Sequence, residues 1–120
     1  AALRDRIHDI IALFASTVGS DPLTAMAILE ITIEAARNPR LRQAYLQVGD
    51  AITPALCHMV EQALREHAAT ATIAGSDLVE VTHAVFDFRV LAAMASGRQA
   101  DIDRMTNQLT MMVLTFVHPM

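Results

Sequence analysis

An all-α fold, a five-helix bundle-like domain, follows from three features of this 120-residue sequence. Hydrophobic residues make up 53% of it and charged residues 18%, a balance that fills a core and excludes a disordered chain. Ala, Leu, Ile and Met dominate while Gly and Pro contribute four residues each, which is helical composition. Apolar positions recur at three- and four-residue intervals in five stretches, and no alternating run is long enough for a strand. The length suits one domain, so residues 1–120 read as a single unit.

The first helix is expected from Leu3 to Val18, with Leu3, Ile7, Ile10, Ile11, Phe14 and Val18 on its apolar stripe and Gly19 as its left-handed stop. Asp21-Pro22 restarts the chain, since Asp accepts orphan amides at a cap and Pro fits the first helical position. The second helix is expected from Pro22 to Arg37, with Glu30, Glu34 and Arg37 outward and Thr24, Ile28, Thr32 and Ala35 inward. Asn38-Pro39 repeats the corner chemistry and opens a long third helix to His67.

Its expected core stripe is Leu41, Tyr45, Val48, Ile52, Leu56, Met59 and Ala63, with a bend after Asp50 where Pro54 removes a backbone hydrogen bond. A linker over Ala68 to Gly75 follows. Asp77-Leu-Val-Glu80 has capping-box spacing and predicts a fourth helix from Asp77 to Ser96, stopped by Gly97. The fifth is expected from Asp101 to Val117, with Ile102, Met105, Leu109, Met112 and Phe116 aligned.

The fourth helix is apolar on two faces. Val79, Phe86 and Ala93, edged by Thr82 and Arg89, form one. Val81, Ala84, Val85, Phe88, Ala92 and Ala95 form the other, with Glu80, His83 and Asp87 between them on one side. A helix apolar on two sides is either central in its domain or shared with another chain, and the small residues of the second face favour a shared interface. The expected homodimer interface is therefore that face together with Met105, Leu109 and Met112, a four-helix bundle about a two-fold axis.

Thirteen acids oppose nine bases for a net charge of −4. Every base is Arg, and only Arg37, Arg40 and Arg42 cluster, so the chain alone lacks the basic surface that duplex DNA demands. The single cysteine, Cys57, makes no internal disulfide, and no apolar run is long enough to span a membrane. The first residues, Ala-Ala-Leu-Arg-Asp-Arg, have neither the apolar core nor the flanks of a signal peptide, and a cytoplasmic location is expected.

At the second corner, Glu34-Ala-Ala-Arg37-Asn38-Pro39-Arg40-Leu41-Arg42 resembles a segment recurrent in the TetR (tetracycline-repressor-like) family of transcriptional regulators. There a helix ends in Glu-x-x-Arg-x-Pro-x-Leu-Arg before the long seventh helix, and the layout on either side is similar along essentially the whole chain. The resemblance implies the C-terminal effector-binding and dimerisation domain of such a regulator, with DNA binding only through an N-terminal helix-turn-helix domain absent from these residues. No cofactor and no enzymatic activity are expected.

Candidate sites are few. Glu80, His83 and Asp87 share a helix face and read either as a weak cation site or as a salt-bridge stripe. Cys57 has no neighbouring base to activate it, and no phosphate loop or nucleophile elbow exists, so no catalytic residue is named. Phe14, Thr32, Tyr45, Met59, Thr82, Phe86 and Arg89 are the expected pocket for a small apolar or amphipathic ligand, apolar walls with a few polar groups. Against this stands local satisfaction, with Thr hydroxyls bonding their own helices and Tyr45 reaching solvent. Arg89 needs a partner, which is a ligand carboxylate, Glu30, Glu34 or the dimer mate's Asp87. Two further functions fit the composition: a ligand-free helical interaction or dimerisation module, and a metal-binding helical bundle.

Overall fold

Two corner residues organise the N-terminal part of the chain. Asp21 Oδ1 accepts from the Leu23 amide at 3.1 Å and Oδ2 from the Thr24 hydroxyl at 3.0 Å, satisfying the opening of α2 (Pro22–Arg37). Asn38 serves two helices at once. Its N–H donates to Glu34 O at 2.9 Å, closing α2, and its side-chain oxygen accepts from the Arg40 amide at 3.0 Å, opening α3 (Pro39–Glu66). Arg42 completes the corner by donating from Nε to Ala35 O at 3.1 Å and from Nη2 to Ala36 O at 2.8 Å. These are last-turn carbonyls of α2, which no amide of that helix can reach.

The computed structural model describes residues 2–18, 21–98 and 101–120; the glycine stop expected at Gly19 lies outside them. Among the described residues five helices form, as the periodicity predicts, and the fold is mostly helical. α1 spans Leu3–Val18, α4 Gly75–Ala95 and α5 Ile102–Leu114. α3 runs unbroken to Glu66 with Pro54 inside it. Ala68 (φ 48°) and Gly97 (φ 69°) take left-handed backbone conformations just beyond α3 and α4.

Two local expectations are corrected. Asp77 is not the cap of α4: the helix begins two residues earlier, after Ala74, and Asp77 lies in its first turn, where a carboxylate suits the positive helix end. Gly75 brings that first turn close to α3: a methyl there would meet Cys57 Sγ at 3.1 Å and would push aside Glu61 Oε1 at 2.9 Å. The chain also contains strands, which no alternation announced. β1 (Ala69–Ala71) pairs antiparallel with β2 (Val117–Pro119), matching Ala69 to Pro119, Thr70 to His118 and Ala71 to Val117. That pairing ends α5 at Leu114 rather than Val117. Three-residue strands are too short to display a period of two, and their partners lie far apart in sequence.

The core gathers one stripe from each of four helices. Ile7, Ile10, Ile11 and Ala15 come from α1, Val60, Ala63 and Leu64 from α3, Leu78, Val79, Phe86 and Val90 from α4, and Met105, Leu109 and Val113 from α5. Thr106 and Thr110 are buried among them, and the Thr110 hydroxyl donates to Thr106 O at 2.7 Å.

The N-terminal half of α3 does not join this core. Leu41 is half-buried, and Tyr45, Val48 and Ile52 are exposed, so the expected stripe holds only from Leu56 onward. On α2, Thr24, Ile28 and Thr32 are exposed and only Ala35, at 4%, is buried. α2 packs chiefly on α3, and with the exposed first half of α3 it forms an arm beside the core. The arm accounts for a radius of gyration of 15.2 Å, where a compact domain of this length has about 14 Å.

Candidate functional site

The four core helices leave a cavity between them. Its floor is buried and apolar, built from Ile7, Ile10 and Ile11 of α1, Val60 of α3, Leu78, Val79 and Phe86 of α4, and Leu109 and Val113 of α5. Its mouth is half-buried: Phe14, Leu56, Thr82 and His83. The volume is about 50 Å³. A site for a drug-sized molecule measures roughly 300–1,000 Å³, so this one is small in the resting structure.

The aromatic lip is ordered by edge-to-face contacts. The Phe14 ring stands 5.3 Å from that of Phe86 at 70° and 4.9 Å from the His83 imidazole at 76°. Both geometries set ring edges against ring faces, which the aromatic quadrupole favours. One turn along α4, His83 Nε2 lies 3.1 Å from Asp87 Oδ2. The hydrogen bond to Asp87 raises the His83 pKa above its ordinary 6.5, burial opposes this, and the Asp87 charge adds to the rise.

Of the seven expected pocket residues, the structure brings Phe14, Thr82 and Phe86 together at the cavity. Met59 is half-buried against the same core without lining it. Thr32 is on the arm, its hydroxyl donating to Ile28 O at 2.8 Å. Tyr45 is 42% exposed, also on the arm. Arg89 is half-buried, and among the described residues no acid forms an ion pair with it. Glu34 lies 3.7 Å from Arg37 instead. Thr82 lines the mouth, yet its hydroxyl donates to Leu78 O at 2.7 Å and is satisfied within its own helix.

Leu56 and the floor apart from Phe86 lay outside the expected pocket, and the polar lining residue missed in the sequence is His83. Its i,i+4 spacing to Asp87 marked it as a surface or metal-site residue, whereas Phe14 packs on its ring and draws it to the cavity edge. Glu80 stays exposed, and among the described residues no three His, Cys, Asp or Glu side chains converge on a metal position. Cys57 faces Glu61, its Sγ 3.4 Å from Oε1; burial first, then the neighbouring carboxylate, push the thiol pKa up. A thiol so held is a poor nucleophile.

The two faces of α4 separate as the wheel predicts. Val81, Ala84, Ala92 and Ala95 are exposed, Val85 is half-buried, and Phe88 is 67% exposed. From α5, Met105 and Leu109 are buried in this chain's own core and present nothing to a partner, while Met112 is half-buried. They occupy the inner face of α5 because that face packs on α1 and α4. Among the described residues no helix is long and apolar enough to cross a membrane.

Neither protein-family models, nor curated proteins, nor solved structures yield a match to this chain.

Proposed function

We propose that this chain is the ligand-sensing and dimerisation domain of a one-component, cytoplasmic transcriptional regulator, a repressor released from DNA by a small-molecule inducer. DNA would be read by a separate N-terminal helix-turn-helix domain. The observation that carries this is the division of labour on α4. One face, through Val79, Thr82, His83 and Phe86, walls the cavity, while the opposite face exposes Val81, Phe88, Ala92 and neighbouring small residues. A contiguous apolar helix face open to water marks an interaction surface, and in a homodimer the same patch serves both copies.

A ligand between α1, α3 and α4 then presses on the helix that also meets the second copy. Coupling requires that the ligand bind one dimer arrangement better than the other, by a factor equal to the change in dimer or DNA affinity. Moving α4 would alter the separation of two attached DNA-reading heads and spoil their fit to paired half-sites.

Light scattering at micromolar concentration tests the dimer. The unmodified domain is expected at twice the chain mass, and Ala92→Glu, which sets two carboxylates against each other in a desolvated interface, is expected to be monomeric with its helicity retained. A monomeric wild-type domain overturns the proposal. The small cavity favours a second reading, a dimerisation module without ligand. Native mass spectrometry of the purified chain separates the two, since a sensor retains or takes up a small molecule and a bare module does not.

A further inference from the structure

The chemistry of the cavity wall narrows its occupant. Among the described residues no buried side-chain nitrogen or oxygen lacks a hydrogen-bond partner. Among the described residues the only polar side chains on the lining are Thr82 and His83, both at the mouth. The Thr82 hydroxyl is already engaged by Leu78 O, and His83 Nε2 by Asp87. The floor is wholly Ile, Val, Leu and Phe. A polar atom placed there would lose its water and gain no partner.

We propose that the cavity takes an uncharged hydrocarbon group, a short alkyl chain or an unsubstituted ring, with any polar end of the ligand held outside the mouth beside His83 and Asp87. This rests on the ligand-sensing reading and specifies its ligand class. At the mouth His83 Nε2 is already held by Asp87, whose carboxylate offsets the imidazole's charge, so an anionic head gains little there and nothing inside. Arg89, free of any ion pair among the described residues, does not line the cavity and gives no acid a counter-charge within it.

Size decides how the group enters. The resting volume of about 50 Å³ is well under the ~150 Å³ of an apolar, dry engineered cavity that admits benzene. A ring therefore enters by displacing the half-buried lip, Phe14 and Leu56, while the floor stays packed. Removing the Leu56 side chain beyond Cβ leaves that room in advance.

The experiment is a methyl-detected NMR titration of the 120-residue chain with benzene and, separately, with sodium benzoate. Saturable shifts of the Ile7, Ile11 and Leu78 methyls are expected with benzene, and binding at least tenfold weaker with benzoate. Leu56→Ala, at a mouth position that a folded chain tolerates better than a floor position, is expected to bind benzene at least threefold more tightly. Benzoate binding as tight as benzene overturns the hydrocarbon class and leaves ligand sensing standing. Benzene shifts confined to methyls outside the cavity overturn the assignment of the site. No shift with either probe, in wild type and Leu56→Ala alike, overturns both the class and the sensing function.

Discussion

α3 is one helix in two environments. From Leu56 to Leu64 it lies between α1, β1 and α4, and three of its residues are buried. From Leu41 to Ile52 the same apolar spacing continues, yet Tyr45, Val48 and Ile52 are exposed. The contrast teaches that periodicity reports which residues share a face, and says nothing about whether another element covers it. α2 makes the point more strongly. It is apolar nearly all round, with Leu23 77% exposed, although a helix so composed usually sits inside a protein.

Substitutions that separate core from arm break or sharpen this contrast. Phe86→Ala, at 1% exposure in the core, is expected to cost about 3–5 kcal/mol. For a domain of this length that lowers the melting temperature by roughly 10–20 °C in calorimetry. Tyr45→Ala on the arm is expected to stay within about 0.5 kcal/mol of wild type. If the two variants melt alike, the arm is packed as tightly as the core and the comparison fails.

Arg42→Ala comes next. Losing the donors to Ala35 and Ala36 carbonyls is expected to cost about 1 kcal/mol, because the guanidinium bonds there are partly solvated. The loss should be local, appearing as faster amide exchange at the end of α2 with little change in core amides. Equal acceleration throughout would mean that arm and core open as one unit.

The smallest expected effect is electrostatic. The raised His83 pKa means its pairing with Asp87 stabilises the fold fully below pH about 6.5 and less as pH climbs through the folded-state value. Asp87→Asn should therefore lower the melting temperature at pH 5.5 and do so less at pH 9. A half-exposed i,i+4 pair contributes only about 0.3–0.5 kcal/mol, so the acid-side shift should be about 1–2 °C. A larger penalty at pH 9 would contradict the sign.

The boundaries of α2, and the corner chemistry of Asp21 and Asn38, were legible because caps act within three or four residues of sequence. The two faces of α4 were legible for the same reason. The cavity was legible only where it draws on short-range pattern, at Phe14, Thr82 and Phe86. Thr32 and Tyr45 fell on the expected stripes, but both are exposed on the arm and neither reaches the cavity lining. His83 was misplaced because its nearest determinant, the Phe14 ring, comes from another helix. The strand pair escaped notice since its two halves depend on a contact across about fifty residues.

That strand pair also makes a built-in reporter. Joining Ala69 to Pro119 closes a loop that contains all of α4 and α5. If those helices come apart, the loop becomes a flexible chain and its closure entropy, about (3/2)RT ln n for n residues, falls entirely on three short pairings. Two amides flank the pair, Thr72 donating to Phe116 O at 2.8 Å and Met120 donating to Ala68 O at 2.9 Å. Their deuterium uptake should track the opening of α4 and α5, so a probe that never touches either helix registers when the pair of them loosens.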